Sequence, residues 1–292
     1  MLRWRIMEKD TKEKSAVNNA LLCKLNELRS IVRAYGRAAV AFSGGTDSAL
    51  LLKTVHEELG SNAVAVTAES CFMPAADIKE AAAFCGNLGI RHEIIKTAPL
   101  SLPAIEENTP ERCYFCKKLV FSAFLDFARR NNIPVVCDGS NADDTADYRP
   151  GMKALKELGV QSPLLRCGLY KAEIRQLLRE CGLAVWKKPS AACLASRIPY
   201  NEKITPEKLS MAERGEAFLH GLGLTCVRVR VHSGAGYISA RIEAMPGEMP
   251  FLLEKRSEIY AQFKNTGFSY TAVDLAGYRT GSLNEVLCDG AG

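Results

Sequence analysis

Residues 38–52 read AAVAF, then SGGTDS, then ALLL, and the rest of the chain is read outward from them. Ala38 to Phe42 is a short unbroken apolar run, the pattern of a strand buried on both faces of a parallel sheet. Ala49 to Leu59, ALLLKTVHEEL, carries helical periodicity. Between them, Ser43, Gly44, Gly45, Thr46, Asp47 and Ser48 form a turn of small and polar residues. Glycines let backbone N–H groups close on an anion, and the helix that follows adds its positive end, so the turn is a phosphate cradle. A plain strand-to-helix turn needs no such run. The loop lacks the Gly-Lys-Ser/Thr of a Walker A motif. Asp47 has the wrong charge to touch phosphate, so it meets Mg²⁺ or pins the loop.

Further strands are expected at Ala63–Thr67, His92–Ile95 and Pro134–Cys137, with helices at Ser15–Tyr35, Ala76–Leu88 and Leu119–Arg130. This alternation makes an α/β domain with a parallel sheet. A second module follows Pro199. Thr205 caps a helix with Pro206 at its first position. Val227, Val229 and Val231 alternate with Arg228, Arg230 and His232, the pattern of a half-exposed strand, and a turn at Ser233–Gly236 returns the chain through Tyr237–Ala244. A helix at Pro250–Phe263 and a strand at Tyr270–Leu275 complete a small α+β module. The expected division is therefore an N-terminal helix (1–35), an α/β domain (36–200) and an α+β module (201–292).

The chain has 292 residues, 38 Lys and Arg against 33 Asp and Glu, and 47% hydrophobic residues. That composition excludes disordered and fibrous classes. A net charge of +5 gives solubility and is too weak to argue for nucleic-acid binding. No apolar run reaches the roughly 20 residues that span a bilayer, and MLRWRIMEKDTKEKS has no apolar signal core. Eleven cysteines, an odd number in a chain of this size, point to reduced thiols and a cytoplasmic protein. Cys23, Cys85, Cys137, Cys181 and Cys226 lie in apolar surroundings and are expected in the core.

SGGTDS after an apolar strand resembles the PP-loop of the ATP-pyrophosphatase superfamily, and Asp138-Gly139-Ser140-Asn141-Ala142-Asp143-Asp144 resembles that superfamily's second turn. The resemblance implies an adenine nucleotide alpha hydrolase-like fold that cleaves ATP to AMP and pyrophosphate while a substrate oxygen is adenylated. It makes Ser43, Gly44, Gly45, Asp47, Ser48, Asp138, Gly139 and Asp143 the ATP and Mg²⁺ residues. Cys193-Leu194-Ala195-Ser196-Arg197-Ile198-Pro199-Tyr200, the segment Asp147–Gly151, Trp186-Lys187-Lys188-Pro189 and Gly277-Tyr278-Arg279-Thr280-Gly281-Ser282-Leu283-Asn284 together resemble the LarE family, from about Leu25 to Glu285. LarE proteins are ATP-dependent sulfur transferases that build the nickel-pincer nucleotide cofactor. The resemblance implies a substrate, pyridinium-3,5-biscarboxylic acid mononucleotide, whose carboxylates become thiocarboxylates, and a sulfur donor at Cys193. In the simplest members the donor's Cβ–S bond breaks and leaves dehydroalanine. A guanidinium beside Cys193 favours its thiolate, so Ser196 and Arg197 join it as catalytic candidates.

Cys113-Tyr114-Phe115-Cys116 is a C-x-x-C, which lets two thiolates meet one metal or cluster, or form a redox disulfide; two packed cysteines at a helix start are the plainer alternative. With Cys193 it gives three thiols, too few for a closed four-cysteine site. Three suit a [4Fe–4S] cluster with one open iron, an arrangement PP-loop tRNA thiolases and some LarE-like proteins use, and Cys193 is then a ligand. Arg228, Arg230, Arg241 and Arg279 are the candidates for the substrate phosphate, with a solvated sheet face as the plain alternative. His232 and Glu243 beside them read as surface residues. A homo-oligomer is expected, and no membrane partner. The rival reading is a tRNA thiolase, disfavoured by the modest charge.

Overall fold

The computed structural model describes residues 2–146, 150–189, 192–279 and 281–285, so Asp147, Tyr148, Arg149 and Thr280 of the quoted motifs lie outside it. The chain divides into two compact units. The first comprises Met1–Glu69, Ala76–Lys96 and Lys117–Ser190; the second comprises Ser70–Ala75, Thr97–Cys116 and Ala191–Gly292. The second unit therefore gathers two excursions from the N-terminal half in addition to the C-terminal third.

In chain order the helices are α1 (Leu2–Tyr35), α2 (Thr46–Leu59), α3 (Ala75–Leu88), α4 (Pro103–Glu106), α5 (Arg112–Arg130), α6 (Pro150–Glu157), α7 (Pro163–Arg166), α8 (Lys171–Glu180), α9 (Pro206–Gly221), α10 (Met249–Glu254) and α11 (Arg256–Thr266). The strands are β1 (Ala38–Ala41), β2 (Ala63–Glu69), β3 (Arg91–Lys96), β4 (Val135–Cys137), β5 (Arg228–Gly234), β6 (Tyr237–Glu243) and β7 (Tyr270–Val273).

The first unit holds a parallel sheet of order β3-β2-β1-β4. Successive residues of a strand point to opposite faces. Ala38, Val40, Ala63 and Ala65 accordingly enter one core with Leu51, Val55, Ile174 and Leu178, whereas Ala39, Val64, Val66 and Val136 enter another with Phe121 and Phe124. A sheet buried on both faces needs apolar residues at every position, which is why AAVA carries no alternation. The strand order reverses between β1 and its two neighbours. Loops beyond the C-terminal ends of β1 and β4 meet at such a switch point, where open α/β sheets bind ligands.

The second unit has a three-stranded sheet, β5-β6-β7, with β5 and β6 antiparallel and β6 and β7 parallel. Thr205 caps α9 by accepting from the Lys208 N–H at 3.2 Å, with Pro206 at the first helical position. The helix expected over Pro250–Phe263 is two, α10 and α11. The expected half-exposed strand at β5 is instead buried on both faces from Arg228 to Val231. Its arginines are inside because carboxylates and carbonyls satisfy them. Cys85 and Cys137 are core residues as read, but Cys23 and Cys181 are exposed and Cys226 is half-buried. Cys23 lies on an outward position of α1, and Cys181 and Cys226 lie in the turns after α8 and before β5, where apolar neighbours in sequence do not bury them.

Candidate functional site

The glycine turn is shaped as a cradle. Gly44 has φ +72°, a left-handed conformation that glycine adopts without strain, and Gly45 is extended and leads into α2. The Ser48 hydroxyl donates to the Gly45 carbonyl at 3.1 Å and lies 3.3 Å from the Ser43 hydroxyl, so both serines brace the loop from within. The second turn presses against it. A Cβ on Gly139 would stand 2.9 Å from the Ser48 backbone nitrogen, a separation only glycine permits. Asp138 is buried and accepts from the Ser140 hydroxyl and, at 2.5 Å, from the Ser162 hydroxyl; the Lys117 ammonium is 3.8 Å away. Asp143 accepts from the Lys171 N–H at 2.7 Å, and the Lys171 ammonium reaches Asp47 at 2.5 Å. Lys171, which opens α8, thus ties the two turns together. Beside the loop is a pocket of about 390 Å³, lined in part by Gly44, Glu80, Phe84, Lys187 and Lys188. Lys188 spans Asp77 and Glu80 at 2.9 and 2.7 Å, bonds that outweigh its burial and raise its pKa.

The thiols lie in the second unit. Cys113 and Cys116 occupy the first turns of α5, both half-buried; Cys193 is exposed, just before a 3₁₀ turn over Leu194–Arg197. Asn108 and Arg112 bring the two segments together. Asn108, buried with φ +57°, donates to the carbonyls of Ile198 and Pro199 at 3.0 and 2.6 Å and accepts from Arg112. Arg112 also donates to the Ala195 carbonyl at 3.1 Å and to the Cys113 sulfur at 3.7 Å. Burial alone pulls the Arg112 pKa down, but the fields of Cys193 and Cys113 outweigh it and leave the guanidinium above its ordinary value. Burial pushes the Cys116 thiol up to about 12, and Cys193, Cys113 and Cys71 add to the rise against the opposing Arg112.

Ser196 and Arg197 hold the backbone on which Cys193 sits. The Ser196 hydroxyl donates to the Cys193 carbonyl at 2.8 Å, and Arg197 donates to the Ala192 carbonyl at 2.9 Å. Two further nitrogens of Arg197 grip Glu216 at 2.7 and 2.8 Å. Arg230 donates to the Ser196 carbonyl at 2.6 Å and forks onto Glu243 at 3.0 and 2.8 Å. Glu243, expected at the surface, is 0% exposed. Arg241 pairs with Asp274 and approaches Glu243 at 3.3 Å, Arg279 pairs with Glu285, and Arg228 packs over the Tyr278 ring at 5.2 Å. All four arginines named for the substrate phosphate are engaged by groups of this chain.

Over 252 residues, 86% of the chain and 90% of its relative, the sequence is 35% identical to the pyridinium-3,5-bisthiocarboxylic acid mononucleotide synthase of Lactiplantibacillus plantarum. The chain belongs to the LarE family. It is also 41% identical over 266 residues to slr1717, an uncharacterised protein of Synechocystis, covering 90% of this chain and 98% of that one. An NH₃-dependent NAD⁺ synthetase of Wolinella succinogenes is 28% identical over 170 residues, 54% of this chain and 63% of the synthetase. No protein-family model matches the chain. LarE membership together with the synthetase likeness makes this a PP-loop, ATP-using synthase or ligase with an α/β fold. Among the described residues, no helix is long and apolar enough to cross a membrane.

Sequence reasoning missed three residues that make long-range contacts in this LarE chain: Lys171, Asn108 and Arg112. Arg112 abuts the C-x-x-C, a usable signal for a charge that steadies thiolates. The other two carry no local signal. Among the described residues, no three His, Cys, Asp or Glu side chains converge on a single metal ion. Cys113, Cys116 and Cys193 share one unit with Arg112, which donates to the Cys113 sulfur.

Proposed function

We propose that this protein is an ATP-dependent sulfur transferase that converts the carboxylates of pyridinium-3,5-biscarboxylic acid mononucleotide to thiocarboxylates, the product named for its Lactiplantibacillus plantarum relative. The observation that carries this reading is the 35% identity to that synthase over 86% of the chain. Arg112, which donates to the Cys113 sulfur and to the Ala195 carbonyl two residues beyond Cys193, supports it.

A substrate carboxylate attacks the α-phosphorus of ATP, pyrophosphate leaves, and an acyl-adenylate remains. The N–H groups of the Ser43–Ser48 loop stabilise the developing negative charge. Asp47 or Asp138 would hold Mg²⁺, which would neutralise phosphate charge when bound. Lys171 keeps the two turns in register. A sulfur nucleophile then attacks the activated carbonyl and expels AMP, leaving the sulfur on the substrate. Cys113, Cys116 and Cys193 would hold a [4Fe–4S] cluster. When bound, such a cluster supplies a place for exogenous sulfide to be held, so no cysteine is consumed. Ser196, Arg197 and Arg230 fix the Cys193 backbone, while Arg228, Arg241 and Arg279 remain the candidates for the substrate's phosphate.

Intact-protein mass spectrometry tests the reading, on chain purified without oxygen and turned over with ATP, Mg²⁺ and the dicarboxylate nucleotide. Thiocarboxylate product, AMP and an unchanged polypeptide mass are expected, with iron present. Loss of one H₂S equivalent mapped to Cys193 would instead make that residue a consumed donor. Failure to release AMP with this substrate would overturn the assignment.

A further inference from the structure

Strand β2 reads AVAVTAE, and its one hydroxyl belongs to Thr67, which is buried. A hydroxyl inside an apolar strand needs partners, and Thr67 has two. Its oxygen lies 2.6 Å from the Phe42 carbonyl and 2.7 Å from Nε2 of His92. The carbonyl can only accept, so the single Thr67 hydrogen goes to it. His92 Nε2 must then carry a hydrogen and donate to the Thr67 oxygen, which fixes the tautomer of the ring. The sheet register brings the two side chains together: His92 pairs with Ala65, two residues before Thr67 and on the same face. The His92 ring also meets the Phe42 ring edge-on, at 6.4 Å between centroids. Burial outweighs the charge of Glu93 and lowers the His92 pKa, which favours the neutral ring. The acceptor at the end of this series is the peptide unit that joins β1 to the glycine turn. Its carbonyl belongs to Phe42 and its N–H to Ser43, and that N–H donates to the Ser48 hydroxyl oxygen at 3.4 Å. One end of the unit is thus held from β2 and β3, the other from the start of α2.

We propose that His92 and Thr67 are positioning residues for the ATP step: His92 orients the Thr67 hydroxyl, Thr67 fixes the Phe42–Ser43 peptide plane, and that plane aims the N–H groups of the glycine turn. This rests on the proposed function, in which the turn cradles the phosphates of ATP. Neither side chain needs to touch the nucleotide. A tilt of the Phe42–Ser43 plane passes directly toward Gly44, whose φ of +72° and missing side chain give the turn little stiffness of its own. The bonds from β2 and β3 supply the restraint that a permissive glycine does not. Donors fixed before charge develops cost no reorganisation when it does.

The test measures affinity for a non-hydrolysable ATP analogue with Mg²⁺ by calorimetric titration, together with the melting temperature. Thr67→Val keeps the shape and removes the hydroxyl, whereas Thr67→Ser keeps the hydroxyl. His92→Leu removes the ring donor, whereas His92→Gln keeps an N–H near the position of Nε2. Thr67→Val is expected to bind the analogue about tenfold more weakly, the equivalent of one neutral hydrogen bond. His92→Leu should lose less, and the Ser and Gln variants should recover most of the affinity. The double variant of Thr67→Val with His92→Leu should bind no more weakly than Thr67→Val alone, because His92 acts through Thr67. Wild-type affinity in Thr67→Val overturns the proposal, and so do losses that add in the double variant. Losses that follow a lowered melting temperature and that Ser and Gln do not recover also overturn it, since the two residues then serve only the fold. AMP release by the wild-type chain with the dicarboxylate nucleotide is followed alongside. A chain that binds the analogue but releases no AMP sinks the substrate assignment and leaves the positioning role to be decided by the affinities. A wild-type chain that does not bind the analogue overturns both.

Discussion

The ammonium of Lys171 lies 2.5 Å from the carboxylate of Asp47, a contact spanning 124 residues of sequence. Both side chains are about a quarter exposed, so solvent screens the pair and its direct worth to stability is small. Its value is positional: the same residue's N–H holds Asp143, so one lysine ties the two turns together. Replacing Lys171 with Met is expected to slow AMP release by about 10²-fold, near the effect of removing one preorganised charge-stabilising group. Thermal stability should be almost unchanged. Steady-state kinetics alongside a melting curve checks both parts.

Gly139 offers a sharper test of the meeting of the two turns. Its added Cβ would meet the backbone nitrogen and Cα of Ser48 at 2.9 and 3.1 Å, and backbone atoms have no rotamer by which to yield. Gly139→Ala is expected to cost about 1–3 kcal/mol, the usual price of overpacking, and to weaken ATP binding. Urea denaturation and calorimetric titration with a non-hydrolysable ATP analogue measure the two effects.

Asn108 is the staple of the thiol site, and its loss leaves Arg112 and two carbonyls short of partners. Unsatisfied buried polar groups cost about 1–3 kcal/mol each, more where a charge is involved. Asn108→Ala should therefore destabilise the chain by at least about 2 kcal/mol and reduce iron uptake. Asn108→Asp preserves the acceptor toward Arg112 and should recover part of the stability. Denaturation midpoints of the two metal-free variants rank them.

Alkaline pH should loosen the metal-free protein. Burial holds the thiols of Cys85 and Cys116 protonated up to about 12, against an ordinary value of 9.0. Below pH 9 both are protonated in folded and unfolded chains alike, and the stabilisation is fully present. Between pH 9 and 12 the unfolded chain releases protons that the folded chain keeps. Stability then falls by roughly 1.4 kcal/mol per pH unit for each thiol. Denaturation curves between pH 8 and 11 should show this decline, reduced in Cys116→Ser.

The glycine turn between β1 and α2 was legible in the sequence because its determinants are local. A buried strand, two glycines and a helix start lie within a dozen residues, and DGSN repeats the logic after β4. The surroundings of the three thiols were only partly legible. Cys113, Cys116 and Cys193 stood out through their neighbours, whereas Asn108, which bonds Arg112 and the Ile198 and Pro199 carbonyls, carries no local signal. The arginines of β5 misled for a related reason. Alternation with valine signals exposure when charges have no partners, but Glu243 on the paired strand β6 accepts the fork of Arg230. Neutralisation across a hairpin leaves no trace in the pattern of one strand.

The second unit takes its chain from three places, residues 70–75, 97–116 and 191–292. During synthesis its first three cysteines emerge long before Leu194, β5 and α9 exist to receive them. The core that seats Phe72, Leu194 and Cys116 closes only when Phe263 and Phe268 have been made. Nascent chains therefore carry bare, ungathered thiols through most of translation, and any metal loading is an event of the finished polypeptide. For the same reason neither unit can be expressed alone by cutting the chain once: every single cut leaves one of them without a part.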